Sequence, residues 1–147
     1  MNDFLKLKGA IKLERFDEAG TLAEILEKDN LIVQVGLNFV ASALIASSTS
    51  PFNAVAAGSS GTAAALSDTA LGAELGRVSG SNLVTSTAAG VTTFVATFNP
   101  GTATGAWQEA GIFNNTSSGG TMLSHIVFST VTKGSGDTIV ITWTVTV

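Results

Sequence analysis

Cysteine is absent from this sequence, and ionised side chains are scarce. The 147 residues include no cysteine, which excludes disulfides and thiolate metal sites. Only 12% of them are charged, against about 25% in an average soluble domain. The net charge of -4 argues against nucleic-acid binding, because proteins that bind nucleic acid use clustered lysine and arginine to contact phosphates. The length is typical of a single domain.

Histidine is almost as rare. His125 is the only one, so sites with several histidine ligands are excluded, and any Ser-His-acid triad would depend on this residue. Asp68, Glu74 and Glu109 are the only acids between residues 30 and 136, too scattered to indicate a paired-carboxylate site. We therefore predict a protein that is not an enzyme, with no catalytic, metal-binding or cofactor-binding residue. His125 is expected to point inward from its strand or to lie at a subunit contact.

The charges that are present are unevenly distributed. Residues 1–29 hold 12 of the 18 charged side chains, and the remaining 118 residues hold six. Interspersed charge is what usually keeps domains apart, so such a surface resists self-association poorly. This pattern predicts a protein that is covered by partners. An extracellular, threonine-rich β-domain is the alternative. The six later charges are Asp68, Glu74, Arg77, Glu109, Lys133 and Asp137.

The charged N-terminal region has the alternation of a strand. In FLKLKGAIKLERF (residues 4–16), apolar Leu5, Leu7, Ile11 and Leu13 share one face, because side chains alternate across a strand. Residues 17–20 (DEAG) then predict a turn, and residues 21–28 a returning strand. We predict a hairpin arm over residues 1–29, separable from a weakly charged β-sandwich over 30–147. The candidate interface residues on the arm are Lys6, Lys8, Lys12, Glu14 and Arg15.

A continuous apolar run follows the hairpin. Residues 31–46, LIVQVGLNFVASALIA, are interrupted by Gln34, Asn38 and Ser42, a spacing that places all three in one stripe of a helix. We predict a helix over 31–46 that is buried nearly all round, with Asp29 or Asn30 as its N-cap. A buried strand is the alternative. A membrane span is not expected, since it needs about 20 apolar residues.

The rest of the chain has the pattern of a β-domain. A short strand is predicted over 52–57 and a helical turn with a Glu74–Arg77 ion pair over 68–77. Strand-like runs separated by turns then follow to the last residue. The total predicts an antiparallel β-sandwich or jelly roll of about eight strands. Trp143 falls in the apolar row of the last strand. Trp107 is expected in the core or at an interface, or as a platform for stacking on a sugar.

Several stretches together resemble a known group of proteins. They are KLKGAIKLERFDEAG, KDNLIVQVGLNFVASAL, AVAAGSSG, LSDTALGAELGRV, WQEAGIFNN and GGTMLSHIVFSTVTKGSGDTIVITWTVTV. In this order and with these gaps, they resemble a family of small structural virion proteins of tailed bacteriophages, over nearly the whole chain.

The resemblance implies a structural role. It implies a capsid decoration, or cement, protein that binds the outer shell across capsomer junctions, made in the bacterial host cytoplasm and located on the capsid exterior. The partners would be the major capsid protein and copies of the chain in dimers or trimers, with no nucleic acid and no membrane. Two alternatives are a tail or baseplate component, with tail proteins as partners, and a glycan-binding β-sandwich.

Overall fold

In the described part of the chain, the protein forms a nine-stranded antiparallel sheet with one short α-helix. The computed structural model describes residues 6–45 and 50–147, and the following elements lie within these two ranges. They are β1 (Lys8–Phe16), β2 (Leu22–Ile32), α1 (Gln34–Ala43), β3 (Ala54–Gly58), β4 (Glu74–Ser79), β5 (Leu83–Ala88), β6 (Val91–Phe98), β7 (Gly105–Phe113), β8 (Met122–Lys133) and β9 (Thr138–Thr146).

The strands follow the order β4-β3-β7-β8-β2-β1-β9-β6-β5. Strand β2 joins two halves: most of it pairs with β1, and only Leu31 and Ile32 pair with β8. We call β2, β1, β9, β6 and β5 the first half-sheet, and β8, β7, β3 and β4 the second. The halves fold over each other until β4 contacts β6. A mainly β class with one helix is therefore confirmed, whereas the sandwich or jelly-roll arrangement stays a prediction because the sheet is continuous.

The main core fills the space between the two half-sheets. Trp143 and Leu13 enter it from the first half-sheet and Trp107 from the second, and all three are fully buried. The rings of Phe98 and Trp107 meet edge to face with centroids 4.7 Å apart, a favoured geometry for aromatic pairs. This contact joins the two halves at the side opposite β2.

The second half-sheet is covered on both faces. The loop of residues 59–73 and Val35 of helix α1 cover the face that points away from the main core, while Leu37 and Val40 of α1 pack against the main core itself. All five residues of β3 are buried for this reason, and its sequence AVAAG shows no polar alternation, as expected for a strand covered on both sides. The second core that forms on this face consists of Val33, Ala54, Ala56, Phe113 and Met122.

The first half-sheet has a bare outer face. Strand β9 alternates between fully buried residues, such as Ile141 and Trp143, and half-buried ones, such as Thr142 and Thr144. The predicted apolar row of the last strand is therefore confirmed. Because nothing in the described ranges covers the opposite row, its threonines and Val140 form part of the molecular surface.

The N-terminal hairpin is confirmed, but it is not a separate arm. Its turn is fixed by Asp17, whose side chain accepts hydrogen bonds from the N–H groups of Ala19 and Thr21. Strand β1 lies between β2 and β9 and pairs with β9 over its whole length, and its Leu13 is fully buried. The predicted division at residue 29 is therefore wrong, since removal of the hairpin would take out the centre of the sheet.

Helix α1 is shorter and more exposed than predicted. It begins at Gln34 after Val33, which supplies no side-chain cap, and its only buried residue is Gly36. The missing side chain of Gly36 lets the helix approach the backbone of Leu123, so only one side of α1 is covered. The predicted burial all round is wrong. The predicted end at residue 46 lies outside the described residues.

The helical turn predicted over 68–77 is also wrong. Residues 68–73 belong to a loop, and residues 74–77 are the first residues of β4. The extra residue Leu75 bulges between the pairs Gly58–Glu74 and Ala57–Gly76, which shifts the alternation of side chains. Glu74 and Arg77 therefore reach the same face and form a two-pronged ion pair with both N–O distances at 2.7 Å. The expected ion pair thus forms on a bulged strand.

Replacement of a core residue in β1 tests the central position of the hairpin. Leu13→Ala should lower the free energy of unfolding by about 2 to 5 kcal/mol, because it leaves a cavity at a fully buried site. Lys12→Ala, on the opposite face of the same strand, should change it by less than about 0.5 kcal/mol. Urea unfolding followed by tryptophan fluorescence measures both. Equal, small effects would mean that β1 is not part of the core.

Candidate functional site

The most polar site of the interior is built around His125. Its ring is buried, with Nδ1 2.7 Å from Oδ2 of Asp68 and Nε2 2.9 Å from Oε2 of Glu109. Carboxylates only accept hydrogen bonds, so both contacts are satisfied together when both ring nitrogens carry protons. The ring is therefore held between two carboxylates, one at each nitrogen.

Glu109 fixes the loop above this ring. It is fully buried, and its oxygens accept hydrogen bonds from the N–H groups of Ser60, Gly72 and Ala73 at 3.2, 3.0 and 2.8 Å. Gly58 on β3 lies directly opposite Glu109 in the sheet. A side chain at this position would collide with the Glu109 carboxylate and with the carbonyl of Ala73. Glycine at this position thus makes room for the carboxylate that holds both ends of the loop.

Asp68 holds the middle of the same loop. Burial of the Asp68 carboxyl raises its pKa. Hydrogen bonds from the Ala65 N–H and from the His125 ring lower the pKa, as does the electrostatic attraction of that ring, and together they outweigh the effect of burial. The pKa of Asp68 therefore lies below its ordinary value of 3.8. Because the ionised form is favoured in the folded protein, the contact stabilises the fold wherever Asp68 is ionised.

This cluster has the geometry of a structural clamp. Both ring nitrogens face carboxylates, so neither is left to activate a hydroxyl as a catalytic histidine would. The cavity between His125, Asp68 and Glu109 measures about 80 Å³, well below the roughly 300 Å³ or more of ligand pockets, and a second, open depression of about 290 Å³ reaches the His125 ring from the side of β2. Within residues 6–45 and 50–147, no group of three or more histidine or acidic side chains is arranged to hold a metal ion. The cluster therefore fastens residues 59–73 onto the second half-sheet.

Sequence analysis missed the partners of His125. The three side chains lie on β7, on β8 and in the loop before β4, far apart along the chain. Glu109 carried a usable signal, because an acid within the apolar strand GAWQEAGIF must find a partner when it is buried. His125 is the only histidine that could provide one.

The candidate interface residues of the hairpin lie at the surface but not in one cluster. Lys6 and Lys8 are exposed at the start of β1. Lys12 and Glu14 lie on the bare outer face, 3.8 Å apart. Arg15 points the other way and contacts Glu24 and Asp137 at 3.2 and 3.3 Å, so its charge is already used within the chain.

The two other candidates, Trp107 and His125, are not at the surface. Trp107 is fully buried, and its indole N–H donates to the carbonyl of Ala103 at 2.6 Å. Trp143 is fully buried as well and donates to Asn30. Neither tryptophan can stack on a sugar in this fold, so the platform expected for glycan binding is not available. His125 is buried, with about 4% of its surface exposed.

The part of the first half-sheet formed by β5, β6 and β9 is unusual because it lacks charge. Residues 78–108 contain no ionisable side chain, and they include β5 and β6. Val84, Val95 and Thr142 follow each other across three strands, and Lys12 of β1 is the next residue in the row. One part of the outer face is therefore built of valine and threonine, and charge begins only at β1.

The largest depressions of the surface do not coincide with the His125 cluster. One of about 530 Å³ lies open on the outer face and is lined by Lys12, Glu27 and Lys28 among others. Its floor is formed by Thr142 and Thr144 of β9. Cations and anions line it together, so the depression does not select a ligand of one charge.

Comparison with known proteins gives no family. The chain matches no protein-family model, no curated protein and no solved structure. In the described part of the chain, no helix is both long and apolar enough to cross a membrane. The function must therefore be argued from the surface and the interior of this fold.

Removal of the buried charge of Glu109 tests the clamp. Glu109→Gln places an amide N–H₂ group against backbone N–H donors and the His125 ring. We expect the free energy of unfolding to fall by about 3 kcal/mol, as when one member of a buried ion pair is removed. Glu18→Gln, in the exposed β1–β2 turn, is the control and should change it by less than about 0.5 kcal/mol. A Glu109 variant as stable as the control would contradict the clamp.

Acid titration tests the contact of Asp68. Its lowered pKa means that its stabilising contribution is fully present above the ordinary pKa of 3.8 and is lost as the pH falls through the lower, folded-state value. The difference in unfolding free energy between the wild type and Asp68→Asn should therefore shrink below pH 3.8. Urea titrations at a series of pH values measure it. A difference that does not change over this range would rule the contact out as a stabilising one.

Proposed function

We propose that this protein is a structural component of the virion of a tailed bacteriophage, and that it is a capsid cement protein. The observation that carries the proposal is the uncharged surface that β5, β6 and β9 form in the first half-sheet. An exposed strand, β5, and its neighbour β6 lie within a stretch without any ionisable side chain. Surfaces of this kind are poorly protected against association, which favours a protein that works while covered by neighbours.

The interior supports a structural role over an enzymatic one. The ionisable cluster of buried His125 and Glu109 and half-buried Asp68 is occupied by its own hydrogen bonds. Chemistry would need a titratable group with a free position facing a substrate. In this fold these groups instead fix a loop, so the ionised side chains of the interior serve the stability of the fold.

A cement protein stabilises a shell through mass action. A protein that binds the assembled shell more tightly than the free capsid subunits shifts the equilibrium toward the shell. Each contact needs only about 800 Å² on each partner, because many copies bind one lattice. The valine and threonine face would supply the apolar centre of such a contact. Lys12 and Glu14, at its margin, would form the polar rim.

The proposed partners are the major capsid protein and further copies of this chain, in dimers or trimers that match the symmetry axes of the shell. A tail or baseplate location is the alternative within the same class. Glycan binding on a tryptophan platform is not supported, because both tryptophans are buried.

Binding to capsids tests the proposal. Purified protein should co-sediment with expanded phage shells that lack it and should raise the temperature at which the shells release DNA. Val84→Lys, which places a charge in the uncharged face, should weaken binding by at least about tenfold, the effect of roughly 1.4 kcal/mol. Thr21→Lys, an exposed change in the β1–β2 turn, is the control. Density confined to the tail in a virion reconstruction would overturn the capsid assignment.

A further inference from the structure

The sheet has four strand edges without a neighbouring strand in the described part of the chain. Two are the outermost strands, β4 and β5. The other two arise where the half-sheets separate, along residues 22–30 of β2 and residues 126–133 of β8, because β2 and β8 pair only through Leu31 and Ile32. A free edge presents unpaired N–H and C=O groups to other chains, so most proteins protect it.

Three of these edges carry protection. On β2 it consists of charges, including Glu24, Glu27 and Lys28. The ammonium group of Lys28 also donates to the carbonyl of Val127 on β8 at 2.6 Å and so crosses the gap between these edges. Strand β4 has the bulge at Leu75. Charges and bulges are the usual means by which proteins block strand pairing.

Strand β5 has no such protection. It pairs with β6 over six consecutive residues without a bulge, and it contains no charge and no proline. Residues 84–88 are all exposed, and 63% of the accessible surface of Val84 is free. This edge is regular and uncharged, and it is long enough to pair with another strand.

We propose that β5 pairs with β5 of a second copy of this chain, in antiparallel orientation about a two-fold axis. The charge pattern selects this occupant. A charged strand placed on β5 would lose hydration without gaining an opposite charge, because residues 78–108 offer none. A second β5 brings only Val, Leu, Ala, Thr and Ser side chains. The first half-sheets of the two copies would then continue as one sheet.

The geometry of a sheet narrows the register to two choices. Residues opposite each other in an antiparallel pair point to the same face. For the outer face to continue across the two-fold axis, outward-pointing residues of one copy must lie opposite outward-pointing residues of the other. The sequence numbers of two opposite residues must therefore differ by an even number or be the same. The axis then passes beside Thr85 or beside Ser86, the two central residues of β5. In either register, one of these residues lies directly opposite its own copy.

The inference rests on the proposed function, which includes self-association of the chain. It assigns this self-association to the free edge of β5. Its test uses the purified chain alone, without any shell. Failure of β5 pairing can therefore be distinguished from failure to bind a capsid.

Single cysteines at the centre of β5 test the pairing, because the chain has no cysteine of its own. Thr85→Cys and Ser86→Cys are compared with Ala19→Cys, which is equally exposed in the β1–β2 turn. Opposite residues of an antiparallel pair have Cα atoms about 4.5 to 5.5 Å apart, within the range for a disulfide. One of the two β5 variants should cross-link under mild oxidation at least about tenfold faster than Ala19→Cys, because pairing raises the effective concentration.

Sedimentation of the native chain and of lysine variants completes the test. The native chain should form dimers or larger assemblies. Ser86→Lys should shift the chain to smaller species, because the new lysine faces either the same lysine or the apolar edge of the partner. Thr21→Lys should leave the assemblies unchanged. A native chain that stays monomeric, or cysteines at 85 and 86 that cross-link no faster than cysteine at 19, would overturn the inference. Assembly without cross-linking at β5 would overturn it too, but would leave the proposed function intact.

Discussion

The uneven use of ionised side chains is the constraint on which this structure depends. The few charges beyond the hairpin are committed within the fold. Glu109 and Asp68 hold His125 and the loop 59–73, and Arg77 pairs with Glu74 and donates to the carbonyl of Asn115. These contacts stabilise irregular segments that have little apolar surface to bury. As a consequence, β5 and β6 are left with a surface of valine, threonine and serine.

The two half-sheets differ in how their faces are covered. The second half-sheet is buried on both faces because the main core covers one of them and the clamped loop, with Val35 of helix α1, covers the other. The first half-sheet keeps one face bare, and this face is wettable through hydroxyl groups although it is weakly charged. Hydroxyl groups hydrogen-bond to water or to a partner and cost less to dehydrate than ions. A threonine-rich sheet can therefore exist free in solution and still be covered by another subunit.

Local patterns in the sequence predicted what depends on local structure. The hairpin, the turn at Asp17 and the buried row of β9 follow from alternation and turn chemistry. The errors concern long-range pairing. Alternation in β1 does not reveal that β9 lies beside it, and the sequence around residue 75 does not reveal a bulge that depends on β3. Likewise, the clamp could not be recognised before folding brought β7 and β8 together around His125.

The central claim is that neighbouring molecules cover the uncharged strands. Hydrogen exchange of the assembled protein tests this claim most directly. The account predicts that those amides of β5, residues 83–88, that point away from β6 exchange much more slowly in concentrated, assembled protein than in dilute, dissociated protein. The amides of the clamped loop at Gly72 and Ala73 should exchange equally slowly in both, because their hydrogen bonds to Glu109 lie within one chain. Exchange in β5 that does not change on assembly would contradict the account.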